Sequence, residues 1–512
     1  MRVTNAMMAN NMLININRNT KYINGLWNQM GSTKRIQVPS DDPIIASRAL
    51  KFRSNVTQTL QYQRNVAQGM SWMSVTEAAF KNVEEIMKSL REKCTAAAHD
   101  TYVYSDKSAI AAEIRQMVEQ IKLEMNVTYA GRYVFSGYRT DRPPIYIEDN
   151  NFRYDIRQYY GAGDIEKTKS YQKIPSAGSP PGTATPLVYD VNILKLPYTY
   201  IDDNSISISV RDNSASPPAL NPLTVTIGAV TYDVVVQTCS VNDDPSSSTG
   251  NPNPYDNSQW EPDPLAVPPV IVVRYIEETG ELVMNDEVME KIAASGSNVE
   301  ITYTKTNFKV GELNPMVYFE CRDRTPGSVS FGMEFNMDNQ DIRYEFSVST
   351  QVNINSLALN VFTDKMYADM KALCDLVADA QLSDEAMLRQ KYIDLGFSGL
   401  ELEERIAAQM TEEKGRLQSV LHLRFNNMLA ILERHGNTVS REFTDLGARM
   451  QRLDMFESRL EQDEGTYRKL MSDNEDADLV QVMMDISIAE AAYQAALKAG
   501  ASIMQLTLAD FI

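Results

Sequence analysis

The most regular pattern in the chain lies near its C-terminal end. In residues 479–506, Leu479, Ile486, Tyr493 and Gly500 stand seven apart, with Val482, Ala489, Ala496 and Ile503 interleaved. A repeat of that period predicts a helix with an a/d seam, roughly 40 Å long at about 1.5 Å per residue. Its small residues let a partner helix approach. Residues 1–30 carry a weaker seam of Ala9, Ile16, Ile23 and Met30, with Met12, Asn19 and Leu26 beside it. One end can pair with the other, although two ordinary core helices would show the same spacing. Against that plainer reading stand Asn10, Asn11, Asn15, Asn17, Asn19, Asn24 and Asn28. The Asn amide competes for backbone groups and weakens a helix, so the first helix is expected to order only when packed, as helices completed by assembly do.

Between the two ends the period changes twice. Gly31 can stop the first helix with a left-handed residue. Ser40, Asp41, Asp42 and Pro43 then read as a helix start, with an N-cap acceptor and proline in the first turn. A helix is predicted from about 44 to 94, on which Phe52, Val66, Met73, Phe80 and Met87 recur at multiples of seven. Another is predicted from about 106 to 129, with Ile110, Ile114, Met117, Ile121 and Met125 on one side. A hairpin is expected where Tyr133, Val134 and Phe135 precede Ser136 and Gly137. From 145 to 350 the text becomes short β-branched runs beginning near 206, 224, 231, 270 and 299. Loops at 175–186 and 243–264, rich in turn formers, separate some of them. Helical periodicity returns after 351, breaks at Gly396 to Gly399, and is strong from Val439 through Leu446, Leu453, Leu460 and Tyr467. The acidic residues at 473–478 are expected to cap the last helix.

Composition narrows the function. The chain has 512 residues and a net charge of -19, with no stripe of clustered Lys and Arg, which argues against nucleic acid as a partner. No run of eighteen apolar residues is present, so no membrane-spanning helix is expected, and Asn interrupts the apolar run that a cleavable signal peptide would need. Cys94, Cys239, Cys321 and Cys374 have no metal or redox spacing, and most suit small buried positions. His99, His422 and His435 stand alone. No phosphate loop, dinucleotide fingerprint or GxSxG elbow occurs. The acids at 473–478 resemble a calcium loop only at its start, since Asp478 stands where a glycine belongs and Met484 where the bidentate Glu would be. No catalytic, cofactor or metal site is expected, and the chain is not read as an enzyme.

Several stretches, in order and spacing, resemble the flagellin superfamily and, within it, the hook-filament junction proteins of the FlgL type. They are the Asn-rich first helix, PSDDP at 39–43 with Ala46, YQRN at 62–65, Thr76, Glu77 and Phe80, and RYVFSGYRTDRPP from Arg132. Toward the other end come LGARMQRL at 446–453, DADL at 476–479, Tyr493 with Ala495, and LTLADFI at 506–512. The proline pair and the LADFI ending favour a junction protein over flagellin, the alternative. An unrelated cytosolic coiled-coil or enzyme scaffold is a third reading. The four cysteines and the long helical stretch at 381–437 depart from the family pattern.

The resemblance implies a mainly α chain with an inserted β-rich region. It implies a D0 coiled coil from 1–33 and 476–512, a D1 helical bundle from 34–145 and 351–475, and variable β domains at 146–350. It also implies export by the flagellar type III route with a cytosolic chaperone, and a place outside the cell between an adjacent hook-associated protein and flagellin. The contacts with other copies of the chain are expected at Ile16, Ile23, Leu26, Leu479, Val482, Ile486, Tyr493 and Ile503.

Overall fold

The computed structural model describes residues 5–98, 104–171, 188–212, 219–241, 243, 252–295, 299–379, 385–394 and 396–509. Its helices in chain order are α1 (Asn5–Ser32), α2 (Pro43–Ala98), α3 (Tyr104–Met125), α4 (Asp286–Ser295), α5 (Pro315–Tyr318), α6 (Ala358–Val361), α7 (Asp364–Asp379), α8 (Glu385–Asp394), α9 (Leu400–Glu475) and α10 (Leu479–Ala509). The chain divides into two compact units. The first comprises residues 1–69, 344–352 and 451–512, and the second comprises 70–343 and 353–450. The divisions at 69/70 and 450/451 fall within α2 and α9.

In the first unit the local chemistry of the helix ends is explicit. Asp42 accepts from the backbone N–H groups of Ile44 and Ile45 at 2.9 and 3.1 Å, so it caps α2, and Pro43 begins the helix. Asp41 faces the other way, accepting from Gln37 and Val38; the bonds from Val38 and then Gln37 hold its carboxyl below the usual range. Asp478 caps α10 by accepting from Val480 and Gln481 at 3.0 and 3.2 Å. The stop expected at Gly31 does not occur there. The helix continues to Ser32, and Thr33 takes the left-handed conformation, with φ of 57°. Bonds on either side supply the reason: Ser32 Oγ donates back to Asn28, and Thr33 accepts from the Ala477 N–H.

The second unit contains a helical bundle, two six-stranded sheets and a two-stranded hairpin among the described residues. Met73, Phe80, Met87 and Cys94, seven apart on α2, are at most 4% exposed. Phe80 stacks on Phe135 at 5.6 Å, and Phe135 meets Phe362 edge-on at 5.2 Å. One six-stranded antiparallel sheet runs in the order Glu334–Phe335, Glu320–Asp323, Asn150–Tyr160, Val299–Phe308, Ser207–Asp212, Ala219–Pro222. The other runs Ile165–Tyr171, Val188–Lys195, Glu281–Met284, Val270–Ile276, Val230–Cys239, Thr224–Ile227, with the pairing of Val270–Ile276 to Val230–Cys239 parallel. Tyr198 is fully buried, lies 5.5 Å from Phe308 between ring centroids, and donates to the Leu313 carbonyl.

Several sequence expectations shift. The hairpin forms one step earlier than the Ser136 turn, between Thr128–Tyr129 and Arg132–Tyr133, because Ala130 and Gly131 both adopt positive φ and close the turn there. The strand Asn150–Tyr160 has no β-branched run; it alternates buried Tyr154, Ile156, Gln158 and Tyr160 with more exposed Arg153, Asp155, Arg157 and Tyr159. That period of two fits a half-buried strand, but its polar content hides it. Helix α4 lies inside the region read as β-rich. After the break at 396–399, α9 runs unbroken for 76 residues, merging the separate helices expected before and after Val439. The loop at 175–186, residues 244–251 and His99 lie outside the described residues.

Candidate assembly surface of the terminal helices

Helices α1 and α10 pack antiparallel within one chain. Lys34 bridges to Asp476 at one end of the pair, and Gly500 lies against Met12 toward the other. Between these points Leu26, Val482, Ile486 and Ala489 form a buried cluster, with Ile23, Met30 and Ala477 packed partly against it. A β-carbon at Gly500 would meet the Met12 methyl at 3.4 Å, an ordinary contact distance.

A polar clasp closes the end of the pair near the loop. Glu475 is 2% exposed. Its carboxylate accepts from Arg53 Nε and Nη2 at 2.8 and 2.6 Å, and Lys34 Nζ stands 3.4 Å away. Lys34 also donates to Asp476 at 2.6 Å. The backbone joins in, with Arg35 N–H bonded to the Glu475 carbonyl at 2.7 Å. The bond from Arg53 is the main reason the Glu475 carboxyl titrates below its ordinary value, and the bond from Lys34 does the same for Asp476.

The structure divides the residues expected at the interface into three groups. Leu26, Val482 and Ile486 are buried and Ile23 is half-buried, all in the seam inside a single chain. Ile16 and Tyr493 are half-buried on their helices. Leu479 is not in the seam; it is 42% exposed, because it occupies the first turn of α10 immediately after the capping Asp478. The side chain of Ile503 lies outside the described residues.

The heptad did not point to the residues left on the other sides of the pair. Leu13, Ile14, Tyr22 and Trp27 are exposed on α1, as are Val480, Met483, Met484, Ile488 and Leu497 on α10; Val480 is 69% and Ile488 67% exposed. The signal was present in the sequence as apolar residues between the a and d positions. A helix apolar on more than one stripe is covered on more than one side. Elsewhere, His435 is buried against Asp369 at 2.9 Å and His422 lies beside Asn426. Cys94, Cys239 and Cys321 are buried and Cys374 is partly so. Burial pushes each of the three buried thiols up to about 12.

Residues 3–140 match the model of the bacterial flagellin N-terminal helical region. The flagellar hook-associated protein 3 of Salmonella typhimurium is 29% identical over 145 residues, covering 28% of this chain and 46% of that protein. Its Escherichia coli counterpart is 30% identical over 125 residues, covering 24% and 39%. The matched part thus spans less than half the length of these relatives. Among solved structures, flagellar hook associated protein-3 from Legionella pneumophila aligns over 82% of this chain and 98% of that one, at 10% identity and a TM-score of 0.32. The match to the bacterial flagellin N-terminal helical region takes in α1, α2, α3 and the hairpin that follows them.

Proposed function

We propose that this chain is a structural subunit of the bacterial flagellum, placed at the junction between hook and filament, and that it assembles through its terminal helices. The observation that carries the reading is the pairing of α1 with α10 through a closed inner seam, while Trp27, Val480, Met483 and Ile488 stay open on the same two helices. Exposed apolar residues grouped on one element mark an interaction site, and a repeating contact between copies buries them. The likeness of the N-terminal region to hook-associated protein 3 supports the junction as the location. In this reading α1 and α10 form the D0 coiled coil and the α2, α3, α7 and α9 bundle forms D1. The chain leaves the cell by the flagellar type III route with a cytosolic chaperone, has no catalytic role, and contacts other copies of itself, an adjacent hook-associated protein and flagellin.

A second reading, filament flagellin, is favoured by the description of the matching family model. Antibody-gold labelling of intact cells separates the two. A narrow band at the base of each filament is expected, whereas label along the whole filament would make the chain a flagellin.

A further inference from the structure

Arg274, on the strand Val270–Ile276, is the bulkiest fully buried side chain among the described residues. Its Nε donates to the Val283 carbonyl at 3.3 Å, and its Nη2 donates to Asn257 Oδ1 and Asn285 Oδ1 at 2.8 and 2.9 Å. The guanidinium carbon stands 5.7 Å from the centre of the Trp260 ring. Trp260 and Asn285 are in turn held, since the indole N–H donates to the Asn253 carbonyl and the Asn285 amide to the Trp260 carbonyl. The loop from Asn253 to Trp260 is thereby fixed against the sheet at Arg274. The remaining nitrogen, Nη1, is buried and has no hydrogen-bond partner.

Charge sharpens the question that this nitrogen raises. Other buried charges of the second unit have an opposite charge beside them: Lys305 stands 3.6 Å from Glu312, and Glu300 stands 3.0 Å from Arg157. Arg274 has no ion pair among the described residues. Asp256 acts on it only from a distance, its carboxylate accepting instead from the Ser258 N–H and hydroxyl at 3.0 and 2.6 Å. The Cys239 thiol lies on the paired strand opposite Ile276, and burial pushes it up to about 12, so it is neutral at pH 7. Burial lowers the Arg274 guanidinium to about 10, which still leaves it charged there. A buried cation without a counter-charge is strongly unfavourable. A water molecule would satisfy the Nη1 hydrogens and leave the charge; an anion satisfies both.

We infer that Arg274 Nη1 binds a small monovalent inorganic anion of the chloride kind. Nη1 supplies two N–H donors and one positive charge, which match an ion of one negative charge. A sulfate or phosphate would bring a second charge and more acceptor oxygens than these donors serve, at a larger desolvation cost. Asn257 and Asn285 set the plane of the guanidinium through Nη2, and the Trp260 ring covers it, so these three are positioning residues. The bound ion stabilises the loop from Asn253 to Trp260 on the strand Val270–Ile276, because an ion held only by the folded chain adds its binding energy to folding. The inference is independent of the proposed place at the hook-filament junction.

The test follows thermal unfolding of the full-length chain while sodium chloride replaces sodium gluconate at constant ionic strength. Raising chloride from about 1 to about 100 mM should raise Tm by roughly 2–4 °C, and bromide should act in the same way. Arg274→Met, similar in length and uncharged, should lose the response, which separates binding at this residue from a general effect of salt. A second measurement needs no variant: crystals of the unaltered chain soaked in sodium bromide should show an anomalous peak within hydrogen-bonding reach of Arg274 Nη1. A Tm that ignores chloride, a response that persists in folded Arg274→Met, or a water molecule in place of bromide at Nη1 overturns the inference. If Arg274→Met does not fold, the bromide peak decides, its presence upholding the site and its absence overturning it.

Discussion

The Arg53 guanidinium grips the Glu475 carboxylate with two hydrogen bonds of 2.8 and 2.6 Å, joining the start of α2 to the end of α9. Glu475 is almost wholly buried while the Arg53 side chain is 59% exposed. The pair therefore matters chiefly for satisfying a carboxylate that water cannot reach.

Replacing Arg53 with Ala leaves that carboxylate with Lys34 as its remaining cation. The exposure of Arg53 puts the cost at about 1–2 kcal/mol. Hydrogen exchange of the α1 and α10 amides should accelerate by roughly the matching factor of ten, with the sheets of the second unit unchanged.

The clasp should also be sensitive to acid. Glu475 and Asp476 titrate below their ordinary values of 4.5 and 3.8 in the folded chain. A carboxylate with a lowered folded pKa contributes stability that is fully present above its unfolded value and is lost as pH falls through the folded one. Protection of the α1 and α10 amides should thus be level above about pH 5 and decline below about pH 4. Glu475→Gln should flatten part of that decline.

Two substitutions on α10 should act differently. Ile486→Asp buries a charge in the seam with Leu26 and Val482 and should cost at least about 3 kcal/mol, separating α1 from α10 within the chain. Leu479→Asp changes an exposed position, so helix content should stay as it was and only association between copies should weaken. Circular dichroism with sedimentation velocity on both variants checks the contrast.

Gly280 and Gly500 should respond in opposite senses to alanine. Gly280 has φ of +78°, and an added β-carbon would lie 2.6 Å from the Tyr198 carbonyl oxygen. Gly280→Ala should destabilise the sheet by about 2 kcal/mol or more. Gly500 sits in a helix with ordinary contact distance to Met12, so Gly500→Ala should stabilise the chain by about 0.5–1 kcal/mol. Urea unfolding, followed by tyrosine fluorescence for the first variant and helix signal for the second, measures each.

The sequence alone determined the elements whose signal is local. The sevenfold spacing of Met73, Phe80, Met87 and Cys94 and of Val439, Leu446, Leu453 and Leu460 is set by helix pitch. A cap was legible within Ser40 to Asp42 and within the acids at 473–478, because capping needs only neighbours two or three positions away; the structure selects Asp42 and Asp478. The β-branched runs near 224, 231, 270 and 299 were legible for the same reason, whereas Asn150–Tyr160 was hidden behind its charged alternate positions. The heptad already put Val482, Ile486 and Ala489 on the seam of α10; only the tertiary structure decided that α1 of the same chain covers them and that Leu479 stays outside. Leu26 and Ile23 of α1 lie against that seam, while the apolar residues on the other sides of α10 stay exposed. Glu475 and Asp476 looked like capping acids, and their pairing with Arg53 and Lys34 could not be read from the chain, because ion pairs between residues hundreds of positions apart leave no periodic trace. The interface residues depended on the same non-local choice: a repeat shows that a helix has a seam, but which side remains for another molecule follows from what the rest of the chain has already covered.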